Sequence, residues 1–142
     1  MYSLIIIPIL VGLITQVIKL AFDGIPGNLD WKNLFRDYGG MPSSHTAFAT
    51  SVAAVILLRE GPDSAAFAVA LALLVIVVRD AVGFRREIGR DAALTNKVAH
   101  LVLGNKYDHL PERIGHTWAE VIAGFIIGAA LSLVLYGLFL IY

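Results

Sequence analysis

The chain of 142 residues contains no cysteine. Disulfide bonds, thiol chemistry and cysteine-ligated zinc sites are therefore excluded, and the redox compartment cannot be read from the sequence. Charged residues are scarce, at 15% of the chain, whereas soluble domains typically contain about 25%. There is no internal repeat and no low-complexity segment. The length predicts a single domain over residues 1–142, and the formal net charge of zero gives no reason to expect a nucleic-acid partner.

Apolar residues are abundant, at 58% of the chain, and the mean hydropathy is +0.76. They occur in blocks and do not follow the i, i+3, i+4 rhythm of a soluble helix. A membrane-spanning helix needs about 20 such residues. We therefore predict an all-α integral membrane bundle with about four spans, at residues 2–22, 44–58, 64–84 and 116–142. The second span is short, so we expect its ends to lie within protein.

The first apolar run could be read as a signal peptide. It lacks a basic leading region, and Lys19 lies where a small-residue cleavage site would be expected. We therefore predict a retained first helix.

The connections between the spans differ in length and character. Residues 23–41 contain several turn-forming glycines and Pro26, residues 59–63 form a tight polar connection, and residues 85–115 form a polar segment. Four apolar residues of that segment recur at helical spacing, opposite Arg90 and Lys97: Leu94, Val98, Leu101 and Val102. This pattern is typical of a short helix lying at the membrane interface.

Four spans would bring four separated polar clusters to one membrane face. With alternating helices, the ends of spans one and three and the starts of spans two and four share a side. Those places are occupied by Lys19, by 42–45, by Arg85 and Arg86, and by His116. We expect these residues to form a polar cap, since titratable groups at the ends of membrane helices are costly unless they serve a function.

The basic residues also predict an orientation in the cell membrane. Of the 11 lysines and arginines, only Arg59 falls in the loop on the opposite side. The positive-inside rule then makes the polar face cytoplasmic.

His116 and Glu120 are four residues apart, so on a helix they would share one face. A carboxylate in that place can hydrogen-bond one ring nitrogen, fix the tautomer and leave the other nitrogen free to attack. His45 follows Ser43 and Ser44 at the start of the second span. Serine is a favoured N-cap, and the unpaired N–H groups of a first helical turn can bind an anion.

Arg85 and Arg86 would lie about 100° apart around a helix, so we expect one of them to face the site. An arginine can hold phosphate oxygens with two hydrogen bonds and neutralise charge in a transition state. Lys19 is predicted either to contact the phosphate or to extend towards the headgroups. Together these residues suggest phosphoryl transfer at a lipid surface.

Three segments resemble the divergent branch of the type 2 phosphatidic acid phosphatase and vanadium haloperoxidase superfamily. They are GGMPSSHTA at 39–47, DAVGFRREIGRDA at 80–92, and GHT with EVIAG at 115–117 and 120–124. The resemblance covers nearly the whole chain. It implies that His116 is the nucleophile and forms a phosphohistidine, that Glu120 orients it, and that His45 protonates the leaving oxygen. It also implies that no metal or other cofactor is needed.

The chain departs from the family pattern at several positions. Leu110 stands where the last motif has an arginine, and Pro26 follows Lys19 without the arginine of the first motif. The acid is Glu120 where aspartate is usual, and Ser44 replaces a common glycine. The phosphate clamp must therefore come largely from other residues, with Arg85 and Arg86 as the leading candidates.

The expected function is removal of phosphate from a lipid phosphate or prenyl diphosphate. A non-catalytic lipid-binding, scaffold or transport module is the alternative from a different class. A third possibility is a metal site formed by His45, His116 and Glu120. Pairing with a second copy of the chain remains open.

Several other residues have simpler predicted roles. Asp80 is expected to pair with the adjacent Arg79, and His100 and His109 are expected to be solvent-facing loop residues. A stripe of small residues suited to close helix packing lies in the last span: Gly124, Gly128 and Ser132.

Overall fold

The computed structural model describes residues 3–23 and 40–141. These residues form five helices: α1 (Ser3–Asp23), α2 (Ser44–Glu60), α3 (Ala65–Val82), α4 (Phe84–Leu103) and α5 (Trp118–Ile141). The predicted turns at 24–39, with Pro26, and the two basic residues Lys32 and Arg36 lie outside the described residues.

Three of the helices, α1, α3 and α5, are long and apolar enough to cross a membrane. The prediction of an all-α membrane bundle is confirmed. The second predicted span corresponds to α2, which has only 17 residues. It is shorter than the other three because the polar segment before Ser44 and the turn at Gly61 bound it closely.

Helix α2 occupies the centre of the bundle and packs against α1, α3 and α5. Its buried positions are small or β-branched: Thr46, Ala47, Ala49, Thr50, Ser51, Ala53 and Val55. Small side chains let neighbouring helix backbones approach closely, which favours association where lipid offers no hydrophobic driving force. One side of α2 joins Ile7 and Val11 of α1 in a core, and the other side joins Ala70 and Leu74 of α3.

The contact between α2 and α5 depends on the predicted stripe of small residues. A Cβ atom on Gly128 would lie 2.5 Å from the backbone oxygen of Ala47, and one on Gly124 would clash with the backbone oxygen of Ser43. One turn further on, the Ser132 and Ser51 hydroxyl oxygens are hydrogen-bonded at 2.7 Å. The predicted close packing is therefore confirmed, and it holds the first turn of α2 against α5.

Helix α4 corrects the prediction for residues 85–115. The sequence predicted a polar segment with a short helix, but α4 runs for 20 residues, and only Gly83 separates it from the end of α3. No proline interrupts it, and Gly104, with φ of 63°, ends it. Gly89 is tolerated inside the helix because the backbone of Glu112 and Ile114 passes so close that a side chain would not fit. His100 therefore lies in a helix, although it is solvent-exposed as expected.

Candidate active site

The segment 104–117 runs back along α4 and returns the chain to the end of α3. It approaches α4 at Gly89, and again at Gly115, where a Cβ atom would lie 2.5 Å from the backbone nitrogen of Arg86. Gly115 has a φ of 85°, which glycine adopts without strain. These two close approaches set the position of the next residue, His116, beside the first turn of α4.

Asn96 holds this segment in place. The side chain is almost fully buried, and its amide group donates to the backbone oxygen of Leu110 at 2.9 Å and to Glu112 Oε1 at 2.8 Å. Its oxygen accepts from the Leu110 N–H at 3.0 Å, and its backbone oxygen accepts from the Tyr107 hydroxyl. A buried amide with satisfied donors and acceptor fixes a single loop conformation, because an alternative would leave polar groups unpaired.

His116 lies two residues before α5, and this corrects the expectation that it starts the helix. Its backbone N–H donates to the carbonyl of Ala81 in the last turn of α3, at 2.9 Å. The residue is only 7% exposed. The turn at Gly115 and this interhelical hydrogen bond place the imidazole where α3, α4 and α5 meet.

Glu120 binds both His116 and the start of α5. Its Oε2 atom lies 3.1 Å from Nδ1 of His116 and accepts the backbone N–H of Thr117 at 2.9 Å. In return, the Thr117 hydroxyl accepts the backbone N–H of Glu120 at 3.4 Å. This reciprocal pattern is a capping box. Since a carboxylate only accepts hydrogen bonds, the neutral ring carries its proton on Nδ1 and leaves Nε2 unprotonated.

The first turn of α2 is tied to the same place. The Ser43 N–H donates to the backbone oxygen of Glu120 at 3.0 Å. The Ser43 side chain is fully buried and caps α2, accepting from the hydroxyl of Thr46 at 3.0 Å and from its backbone N–H. Ser44 is half-buried and His45 is exposed on the first turn. The α2 N-terminus and the α5 N-terminus therefore lie side by side.

Lys19 and His45 are close enough to act on His116 electrostatically. Burial is the main cause of a lowered pKa for His116, and the positive charges of Lys19 and His45 lower it further. The hydrogen bond and negative charge of Glu120 act in the opposite direction without reversing the shift. The imidazole is therefore neutral at pH 7, the form in which a histidine can attack an electrophile.

The two arginines are divided between different surroundings. Arg85 Nε donates to Asp80 Oδ2 at 2.5 Å, so the expected pairing of Asp80 with Arg79 is wrong. Arg79 and Asp80 are adjacent on α3, so their side chains point in different directions. The bend at Gly83 brings Arg85 back towards the last turn of α3, where it reaches Asp80. Arg86 is half-buried, and its backbone packs against Gly115 beside His116. Arg85 and Arg86 thus both lie next to the histidine segment.

The metal-site alternative has no support in the ligand geometry. Within residues 3–23 and 40–141, no three histidine, aspartate or glutamate side chains are grouped closely enough to hold a metal ion. His45, His116 and Glu120 are all among these residues. His116 and Glu120 are in direct contact.

Titration of the imidazole provides a direct test of this arrangement. We expect the His116 ring to titrate with a midpoint below 6.5, because burial, together with Lys19 and His45, disfavours its protonated form. The unfolded chain then binds more protons than the folded chain between that midpoint and pH 6.5. Stability should therefore fall as the pH drops through this window. NMR of the histidine ring nitrogens in micelles measures the midpoint, and His116→Gln assigns the signal. A midpoint at or above 6.5 would contradict the buried geometry.

Comparison with known proteins places the chain in a family. The chain matches the family model described as the divergent PAP2 family over residues 2–131, and it belongs to that family. It is 36% identical to the "uncharacterized membrane protein YuiD" of Bacillus subtilis (strain 168), in a match covering 84% of this chain and 85% of that protein. No solved structure gives a significant match. The predicted resemblance to the divergent PAP2-related branch is confirmed.

Sequence reasoning missed several residues that build the site. Asn96 was not singled out, because a lone asparagine in a polar segment gives no sign of burial. The carbonyl of Ala81 has no sequence signal at all. Thr117 could have been found, since threonine followed three residues later by glutamate, before an apolar run, is the signature of a capping box.

Proposed function

We propose that this protein is a lipid phosphatase, an enzyme that removes phosphate from a lipid phosphate or prenyl diphosphate through a phosphohistidine intermediate. The observation that carries the proposal is the hydrogen bond between His116 Nδ1 and Glu120 Oε2. It leaves Nε2 as the unprotonated nitrogen of a neutral, largely buried imidazole. A nucleophile oriented in this way by a second group matches the general pattern of covalent catalysis.

In the proposed mechanism, His116 Nε2 attacks phosphorus and forms an N–P bond as the P–O bond to the lipid breaks. His45 supplies the proton that the departing lipid oxygen takes up. Water then attacks the phosphohistidine. Its oxygen bonds to phosphorus as the N–P bond breaks and its proton passes to His45, so phosphate is released and both histidines return to their starting forms. Glu120 holds the ring in one orientation through both steps and stabilises the positive charge that develops on it.

The phosphate-binding residues of the proposal are cationic or lie at the start of a helix. Lys19, Arg85 and Arg86 would neutralise the phosphate oxygens, with Arg86 the stronger candidate because Nε of Arg85 is engaged by Asp80. Ser44 would contribute through its backbone N–H in the first turn of α2, since N–H groups at a helix start have no carbonyl partner within the helix and can bind an anion. The Ser43 hydroxyl caps α2, so its part in the proposal is to fix that turn.

The proposal includes the arrangement in the membrane. We infer a multi-pass protein of the cell membrane with the His116 side facing the cytoplasm, supported by the concentration of lysine and arginine on that side. A phosphate-binding cap at the end of a membrane bundle suits a substrate whose phosphate lies at the headgroup level and whose chains remain in the bilayer.

Phosphate release from a panel of detergent-solubilised lipids tests the function. Phosphatidate and prenyl phosphates and diphosphates should release phosphate, whereas a water-soluble phosphomonoester should react poorly. Vanadate, which mimics five-coordinate phosphorus, should inhibit the reaction, and EDTA should have no effect. Complete inhibition by EDTA would overturn the metal-free mechanism. Binding of the lipids without release would instead favour the lipid-binding scaffold.

A further inference from the structure

Helix α4 leaves the bundle and exposes an apolar face over its last three turns. Among the described helices it contacts only α3. On its buried side, Gly89 and Asn96 contact the segment 104–117, and Ala92 is also buried. The other side exposes four large apolar side chains: Leu94 (63%), Val98 (52%), Leu101 (84%) and Val102 (75%). Their spacing places them together on one face of the helix.

Positive charge borders this face along one edge. Arg90 lies four residues before Leu94 and Lys97 four residues before Leu101, so each is about 40° from its apolar neighbour around the helix. The sequence-based view that these cations lie opposite the apolar residues is therefore wrong. Of the two acidic residues of α4, Glu87 is bonded to Arg90, and Asp91 lies three residues before Leu94. The last three turns of the face carry no acidic residue.

The position of α4 in the chain fixes where it starts relative to the membrane. Only Gly83 separates it from α3, a helix long and apolar enough to span a bilayer. The 18 residues of α3 are about 27 Å long, close to the roughly 30 Å of a hydrocarbon core, so we infer that α4 begins near the membrane surface. A helix at that level with an apolar face and a cationic edge has the charge and shape that an anionic lipid surface attracts.

We propose that the apolar face of α4 (Leu94, Val98, Leu101 and Val102) lies in the interface of a membrane containing anionic phospholipids, with Lys97 contacting their headgroups. The occupant of the face is lipid, and not a second copy of the chain. This arrangement does not depend on phosphatase activity. It would hold the α4 N-terminus, and with it the His116 segment, at the depth of lipid headgroups.

The absence of cysteine makes this proposal directly testable by labelling, since a single introduced cysteine has no background. Leu101→Cys and His100→Cys place an environment-sensitive fluorophore on adjacent residues of α4, about 100° apart. The full-length protein is reconstituted in phosphatidylcholine vesicles with and without phosphatidylglycerol. Quenching by shallow spin-labelled lipid and by aqueous iodide is then compared.

The expected result is that the Leu101→Cys probe is quenched several-fold more by spin-labelled lipid than the His100→Cys probe, with the reverse order for iodide. Phosphatidylglycerol should increase the quenching of the Leu101→Cys probe by spin-labelled lipid. This increase should be smaller when Lys97→Gln is also present. Equal iodide quenching at both positions would overturn the proposal, since α4 would then extend into water. Oxidative cross-linking of two Leu101→Cys chains, with loss of lipid quenching, would also overturn it, because a second copy would cover the face.

Discussion

Replacement of His116 by alanine is expected to abolish phosphate release from lipid substrates while leaving the protein folded. The imidazole is the proposed nucleophile, so its loss removes the covalent route altogether. General acid–base groups typically contribute about 10²–10⁴-fold, and loss of the nucleophile should exceed the upper end of that range. The backbone hydrogen bond from residue 116 to Ala81 does not depend on the side chain. Phosphate release in detergent, with helical circular dichroism on the same samples, measures both quantities.

His100→Ala is the matched control for this prediction. His100 is exposed near the end of α4 and takes no part in the proposed site. Its replacement should leave phosphate release within about twofold of the wild type. Substitutions at exposed positions usually change free energies by only tenths of a kcal/mol. Acid quenching of the wild-type reaction should also trap labelled phosphate on the protein, and His116→Ala should trap none. A His116→Ala variant that keeps wild-type turnover would contradict the proposed nucleophile and favour a non-catalytic function.

The second large effect is expected from a single methyl group at the α2–α5 contact. In Gly128→Ala, the new Cβ atom would lie 2.5 Å from the backbone oxygen of Ala47 and 2.9 Å from its Cα. Backbone atoms in a packed helix cannot rotate away as a side chain can, so the two helices must separate. Overpacking usually destabilises by about 1–3 kcal/mol, and rigid backbone neighbours put this variant at the upper end of that range, which corresponds to a fall of about 10 °C in the unfolding midpoint.

Gly137→Ala provides the control within the same helix. A Cβ atom on Gly137 would meet nothing within 4 Å, so this variant should be neutral or more stable by up to about 1 kcal/mol, through helix propensity alone. Thermal unfolding of both variants in one detergent, followed by circular dichroism, gives the comparison. Equal midpoints for Gly128→Ala and Gly137→Ala would show that α2 and α5 do not approach as closely as described.

The sequence was sufficient to predict the elements governed by composition and local spacing. The helices α1, α3 and α5 follow from long, mainly apolar runs, and the close approach of α5 to α2 follows from glycine and serine at every fourth position. The contact between His116 and Glu120 follows from their separation of four residues. It survives the shift of the helix start to Trp118, because the glutamate side chain is long enough to reach back to His116.

Other features depend on contacts between distant segments that no local pattern encodes. The length of α4 depends on the segment that packs against Gly89 and Asn96, and neither contact can be read from the residues around it. The choice of Arg85 as the partner of Asp80 depends on the bend at Gly83. Whether Ser43 binds an anion or caps its own helix depends on its burial, which arises from the approach of Gly124 in α5.

The residues around His116 are connected largely through main-chain atoms. Its own N–H binds the carbonyl of Ala81, and the N–H of Ser43 binds the carbonyl of Glu120. Peptide groups of this kind are present whatever side chain a position carries, proline excepted. Substitutions at many neighbouring positions can therefore accumulate without moving the imidazole. The chain can in this way depart from the expected motif, as it does at Leu110, while His116 keeps its place between the helices.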